Sequence, residues 1–148
     1  MKKVNLAKVP VVKWSSPKGR FGIRFQDTSL KLGRRGVPFE FERTIVPPGK
    51  ANFPYHSHST EWEMYVIIKG AGQIRTPAGK QRIVPGDVLL CPPNEPHQII
   101  NNSKRDLEYY VIANNAGTDI CYYPDSKKWA IPGKVVRVTK AKYFDGEE

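Results

Sequence analysis

Residues Gly49–Gly70, "GKANFPYHSHSTEWEMYVIIKG", hold two of the chain's three histidines and a glutamate five positions after the second. A strand-forming run follows. On an extended chain, positions i and i+2 share a face, so His56 and His58 point the same way. The turn-like Ser59-Thr60-Glu61-Trp62 lets the chain double back, and a hairpin there sets Glu63 beside the pair. The third histidine, His97, follows the rigid turn "PPNEP" and opens the strand-like run "HQIIN" at 97–101. Three imidazoles and one carboxylate suit a divalent transition metal with open positions for water or substrate. Two solvent-facing histidines on a strand have the same H-x-H spacing, so the pair alone leaves both readings open.

The surrounding sequence is a succession of short strands. "VPFEFERTIV" at 37–46 alternates Phe39 and Phe41 with Glu40 and Glu42, the period of a half-buried strand. "EMYVIIKG" is β-branched and aromatic on both faces, as in a strand covered on both sides. "GQIRT", "QRIV", "DVLLC", "HQIIN", "LEYYVIA", "DICYY" and a final run "KVVRVTKAKYF" follow, bounded by Gly, Pro, Asn or Asp. The 12 glycines and 13 prolines fall largely in pairs and punctuate these runs. This predicts an all-β antiparallel sandwich or barrel with little helix. The stretches 125–128 and 140–144 favour helix but are short. The first 35 residues read as a basic arm laid over the sheet or exchanged with a partner.

At 148 residues the chain fits one domain with a sizeable core. No apolar run approaches the roughly 18 residues of a membrane span, and the N-terminus lacks the pattern of a secretory signal. Cys91 and Cys121 form no CxxC pair and read as reduced thiols of a cytoplasmic protein. The net charge of +10 is uneven: +9 over residues 1–50, −2 over 51–126 and +3 over 127–148. Such a surface admits an anionic ligand or nucleic acid. However, the basic residues are scattered apart from Arg34-Arg35, and no nucleic-acid-binding signature appears, so nucleic acid is disfavoured. Glycine-rich phosphate loops and nucleophile elbows are missing from the sequence.

The spacing goes further than H-x-H. Gly49, His56, His58, Glu63 and Gly70 in the first segment, and Pro85-Gly86-Asp87, Pro92, His97 and Asn101 in "GKQRIVPGDVLLCPPNEPHQIIN", resemble the two signature motifs of the cupin superfamily. The resemblance covers about residues 38–115. It implies a jelly-roll β-barrel (a double-stranded β-helix) and one divalent metal ion, Mn, Fe, Ni, Co or Zn. Carried over position by position, its ligands are His56, His58, Glu63 and His97. Glu61 competes with Glu63, but only Glu63 keeps the six-residue step to Gly70, so Glu61 is expected to face solvent. The layout expected is one domain: an arm with strands over 1–37, the barrel core over 38–115 and an extension over 116–148. The stretch Tyr123-Pro124-Asp125-Ser126 is similar to that of small bacterial cupins, some labelled sugar-phosphate isomerases, though Lys127-Lys128-Trp129 and the basic end depart from them. Small cupins also imply a homodimer, and the face carrying Met64, Val66 and Ile68 suits such a contact.

Alternation from Glu63 places Tyr65 on its face, which makes the Tyr65 hydroxyl the candidate catalytic group beside the metal. Arg75 is a candidate for a substrate anion, against an outward arginine on a sheet. Asp87 and Asn101 read as turn residues and Cys91 as core. The expected activity is that of a metal-dependent enzyme, isomerase-like or dioxygenase-like, on a small anionic or polyhydroxy substrate. The alternative is a barrel that binds a small sugar or acid without turnover.

Overall fold

The computed structural model describes residues 1–32, 37–141 and 143–146; Arg34-Arg35 therefore lies outside the described residues. Two layers of strands face each other. The first runs in the order β1 (Val12–Ser15), β2 (Gly22–Asp27), β3 (Phe39–Val46), β10 (Leu107–Asn114), β5 (Glu63–Lys69), β8 (Val88–Cys91), antiparallel throughout. The second combines two ladders. One is β13 (Lys134–Val136), β12 (Lys128–Ile131), β11 (Cys121–Tyr123), β4 (Ser57–His58); the other is β9 (Gln98–Ile100), β6 (Gly72–Thr76), β7 (Gly79–Ile83). An antiparallel bridge between His56 and His97 joins them, and the two layers enclose a jelly-roll β-barrel. Helix is confined to a turn at Leu6–Lys8 and to Ser29–Leu32 among the described residues.

Side chains from both layers meet in the core: Ile23, Val46, Ile67 and Leu107 from one, Ile74, Ile83 and Ile99 from the other. Each such aliphatic side chain, taken out of water, contributes roughly 1.5–3 kcal/mol. Asn101, fully buried, closes the turn after β9: its amide donates to the Val46 and Arg105 carbonyls, and its oxygen accepts from Ser103. Asp87 accepts from the Val84 amide in the turn before β8, and Cys91 is buried in the core.

Three elements differ from the sequence reading. The N-terminal arm is a regular part of the first layer, because β2 pairs with β3 of its own chain. Residues 125–128, read as favouring helix, lead into β12, a strand paired on both edges. The last strand stops at Val136. On β3 the glutamates face the barrel interior with Thr44 and Val46, while Phe39 points outward and is 62% exposed. Val88 and Leu90 lie on that same outer face opposite Val66 and Met64, and both are well exposed.

Gly70 ends β5 at φ +80°, and a Cβ there would stand 2.1 Å from the Asp106 carbonyl oxygen. Left-handed backbone costs a non-glycine residue about 1–2 kcal/mol, and here a backbone clash adds to it. Gly70→Ala is expected to lower the unfolding free energy by more than about 2 kcal/mol in urea titration at an unchanged m-value; a loss below about 0.5 kcal/mol would show that the chain relaxes around the clash.

Candidate metal centre

The site begins with a backbone pairing. His56 and His97 exchange main-chain hydrogen bonds, His56 N to His97 O at 3.2 Å and His97 N to His56 O at 2.8 Å. Directly opposed residues of an antiparallel pair present their side chains to the same face, so the two imidazoles stand side by side with ring centroids 4.8 Å apart. Two residues on, His58 repeats the orientation of His56 from β4, which pairs on its outer edge with Cys121 of β11. Glu63 enters from the opposite layer, at the start of β5. Its Oε2 lies 2.7 Å from His97 Nε2 and 3.5 Å from His58 Nε2. The ligand atoms of His56, His58 and Glu63 all lie within 4.8 Å of one another.

The donor chemistry fits a metal. Each Nδ1 is turned away from the centre and held there: His56 by the Pro54 carbonyl at 2.8 Å, His97 by the Glu95 carbonyl at 3.2 Å, His58 by the Asp119 carboxylate at 2.6 Å. Acceptors on Nδ1 keep the proton on that nitrogen and leave Nε2 as a lone pair aimed inward, the arrangement that orients imidazoles on metal ions. His58 Nε2 and Glu63 Oε2 are buried and lack any hydrogen bond of acceptable geometry. Glu63 Oε2 also lies within ion-pair distance of His97 Nε2. Buried acceptors that face one another call for a positive charge.

Without a metal, protons supply it. Burial opposes charge on His58 and His97. Cys121, Glu63 and Asp119 around the first, and Cys91 and Glu63 around the second, more than offset that and raise both to about 10. His56 is driven the other way by burial and by the charge of His97, to about 4. Burial of Glu63 is outweighed by the surrounding histidines, which hold it at about 2.

Tyr65 sits beneath this group, buried, with its hydroxyl 3.3 Å from His97 Nε2. It belongs to the core and to a chamber of about 120 Å³ behind Glu63, not to the open cavity in front. Glu61 shares that inner chamber with Glu40, Glu42 and Glu63, and is half-buried rather than solvent-facing. Burial lifts both Glu61 and Glu42 to about 7, where a carboxyl exchanges its proton at neutral pH. Arg75 points away from the site: its guanidinium forks onto Asp125 at 2.7 and 2.8 Å and stacks on Tyr55. Asp119 escaped the sequence reading. It ties the loop after His58 together by accepting from Ser59 and from the Thr60 backbone and hydroxyl, yet it lies 61 residues from His58 with no local motif to mark it.

In front of the histidines opens a cavity of about 530 Å³. His56, His58 and Glu63 form its floor. Its walls come from Phe53, from the N-terminal Trp14 and Phe21, and from Tyr123 and Lys128 of the C-terminal strands.

A metal ligand must be deprotonated, so an ion displaces protons from whichever imidazoles carry them. With His58 and His97 charged below about 10, and His56 and Glu63 already deprotonated at neutral pH, binding at pH 7 is expected to release close to two protons. The apparent affinity should then rise steeply, by up to about 100-fold per pH unit, from pH 6 to 8. Calorimetry of zinc binding in two buffers of different ionisation enthalpy measures the count; a value near zero would contradict this protonation pattern.

The cupin domain profile matches residues 42–113. The chain is 33% identical over 72 residues to the oxalate-binding protein of Thermotoga maritima, covering 49% of this chain and 59% of that one. It is 29% identical over 112 residues to auxin-binding protein 1 of Arabidopsis thaliana, covering 70% and 54%. The chain thus spans little more than half the length of these curated relatives. A sugar phosphate isomerase of Silicibacter pomeroyi, described as a cupin, superimposes with a TM-score of 0.77 at 20% identity over 93% of this chain and 92% of that one, a likeness of fold alone. The matched profile, the jelly-roll topology and both histidine segments at the barrel mouth agree: residues 42–113 form a cupin domain.

Proposed function

We propose that this protein is a metal-dependent cupin enzyme in which His56, His58, Glu63 and His97 hold one divalent transition metal ion and the cavity before them admits a small anionic substrate. The observation that carries the reading is the set of three imidazoles pinned through Nδ1, with His58 Nε2 and His97 Nε2 facing Glu63 and a His56 ring nitrogen within 4.8 Å of the His58 and Glu63 ligand atoms. Such an ion supplies Lewis-acid polarisation of a substrate oxygen. The chain supplies the rest. Asp119 and the Pro54 and Glu95 carbonyls orient the ligands, and Tyr65 steadies His97 from below as a positioning residue. Glu61, near neutral pKa at the edge of the inner chamber, accepts or returns a proton. A proton-shifting reaction of the isomerase type uses all of these groups. The alternative, a barrel that holds a small acid without turnover, draws on the oxalate-binding relative.

Protein purified without chelator is expected to contain close to one equivalent of Mn, Fe, Co, Ni or Zn by elemental analysis, and His58→Ala less than a tenth of that. Substoichiometric metal in the wild type, even after reconstitution, would sink the reading.

The protein is further read as a cytoplasmic homodimer. The outer face of the first layer, with Phe39, Val88 and Leu90 exposed beside Met64 and Val66, is the surface that a second copy covers. Light scattering should give twice the chain mass, and Leu90→Lys should yield the monomer with its metal content intact; a monomeric wild type would refute the assignment.

A further inference from the structure

Basic residues that are far apart in the sequence come together where the strands run away from the histidines. β5 starts at Glu63 in the ligand cluster and finishes at Lys69, and β10 returns from Leu107 to Ala113, opposite Glu63. The turns at the far ends of these strands border two hollows. One, of about 410 Å³, is lined by Lys13, Arg24 and Lys50, with Trp14 and Pro47 beside them. The other, of about 570 Å³, is lined by Lys69, Lys104 and Arg105. Asp106 lines both, so the hollows adjoin across one side chain. Trp14 and Ser15 also line the cavity before the histidines, but none of His56, His58, Glu63 and His97 lines either hollow.

Two features of this surface cost the fold stability and return nothing to it. Lys13 and Arg24 stand directly opposite each other on β1 and β2, and like charges in that position destabilise an antiparallel pair. Arg24 is ion-paired with Asp106 through one terminal nitrogen, yet its Nε is buried without a hydrogen-bond partner. A buried donor left without an acceptor carries its full desolvation cost, and a guanidinium meets an oxyanion best through two nitrogens at once. The carboxylates nearby are already matched, Asp106 by Arg24 and Glu108 by Arg43. Lys50 donates to the Gly19 carbonyl, whereas Lys13, Lys69, Lys104 and Arg105 make no ion pair among the described residues. Local rules broken without a structural gain are characteristic of binding sites.

We propose that the two hollows together bind a small polyphosphate anion, one phosphate held by Lys13, Arg24 and Lys50 and the next by Lys69, Lys104 and Arg105. Lysine meets phosphate as a point charge and arginine as a fork, and a short anion with several charges answers cations on both sides of Asp106. A nucleic-acid strand carries the same phosphates but also binds by stacking its bases on aromatic side chains. Trp14, the one aromatic residue lining either hollow among the described residues, is packed on Phe53 with ring centroids 5.5 Å apart. The lining therefore favours a free polyphosphate over a strand. This site does not depend on the metal-dependent reading of the histidine cluster.

Equilibrium dialysis of inorganic tripolyphosphate against the purified protein tests this, at about 0.15 M salt, where exposed charges are screened within roughly 8 Å. Tripolyphosphate is expected to bind near one equivalent and at least tenfold more tightly than orthophosphate. The exposed Lys13→Gln and Lys104→Gln variants should each weaken it at least fivefold with metal content unchanged. Lys134→Gln/Lys140→Gln, which removes two cations outside both hollows, should change it less than twofold. His58→Ala should bind it as the wild type does, and a ten-residue oligothymidylate at equal phosphate concentration should not displace it. A preference over orthophosphate below tenfold, or losses in Lys13→Gln and Lys104→Gln no larger than in the control pair, would overturn the proposal. So would loss of binding in His58→Ala, which would move the anion to the histidine cluster, or displacement by oligothymidylate, which would assign the surface to nucleic acid.

Discussion

Two main-chain hydrogen bonds between His56 and His97 join the ladders of the second layer and set the register of the ligand cluster. The chain ahead of His56 is zipped to the strand after His97 as well: Asn52 N donates to Ile99 O, Asn101 N to Lys50 O, and Gly49 N to Asn101 O. A slip of one residue in this pairing would turn His97 or His56 out of the barrel and leave Glu63 facing an incomplete set. The imidazole positions therefore follow from sheet register, and sheet register follows from the buried aliphatic residues on the same strands, Ile99 above all. Stability of the barrel and geometry of the site are one constraint.

The interior electrostatics continue from this arrangement. The barrel tolerates four inward glutamates around a small chamber because they do not share one protonation state. Three imidazoles keep Glu63 ionised, while burial leaves Glu42 and Glu61 near the point where they carry a proton at neutral pH. Polarity is thus graded along the barrel axis, from aliphatic core through carboxyl chamber and imidazole floor to an aromatic mouth that carries Lys128.

The strands from Phe39 to Tyr123 could be read from the sequence because glycine and proline pairs cut them to length and β-branched runs fill them. The H-x-H spacing likewise reports a shared face. Alternation says which residues lie together, however, and not which way they look. On β3 it separates Phe39 and Phe41 from Glu40 and Glu42, yet only the packing of Thr44 and Val46 turns the glutamates inward. Glu61 was misplaced for a related reason, since a turn position next to Glu63 looks solvated until the inner chamber forms around it. Asp119 and Lys128 reach the site through the β11–β12 hairpin, a contact across about 60 residues of chain that no local pattern encodes. Residues 125–128 suggested a helix because lysines favour one, and pairing on both edges of β12 overrode that preference.

The strand that carries His58 has β11 as its outer neighbour, and β11 is continuous with β12, β13 and the Asp125 fork onto Arg75. Occupancy of the histidine cluster and docking of the C-terminal meander are for this reason thermodynamically linked, and linkage is reciprocal. An ion that held His58 in place would also hold the meander against the barrel, through the β4–β11 pairing and the Asp119 contact to His58. The C-terminal wall of the cavity would accordingly be firmer with the histidine cluster occupied than with it empty.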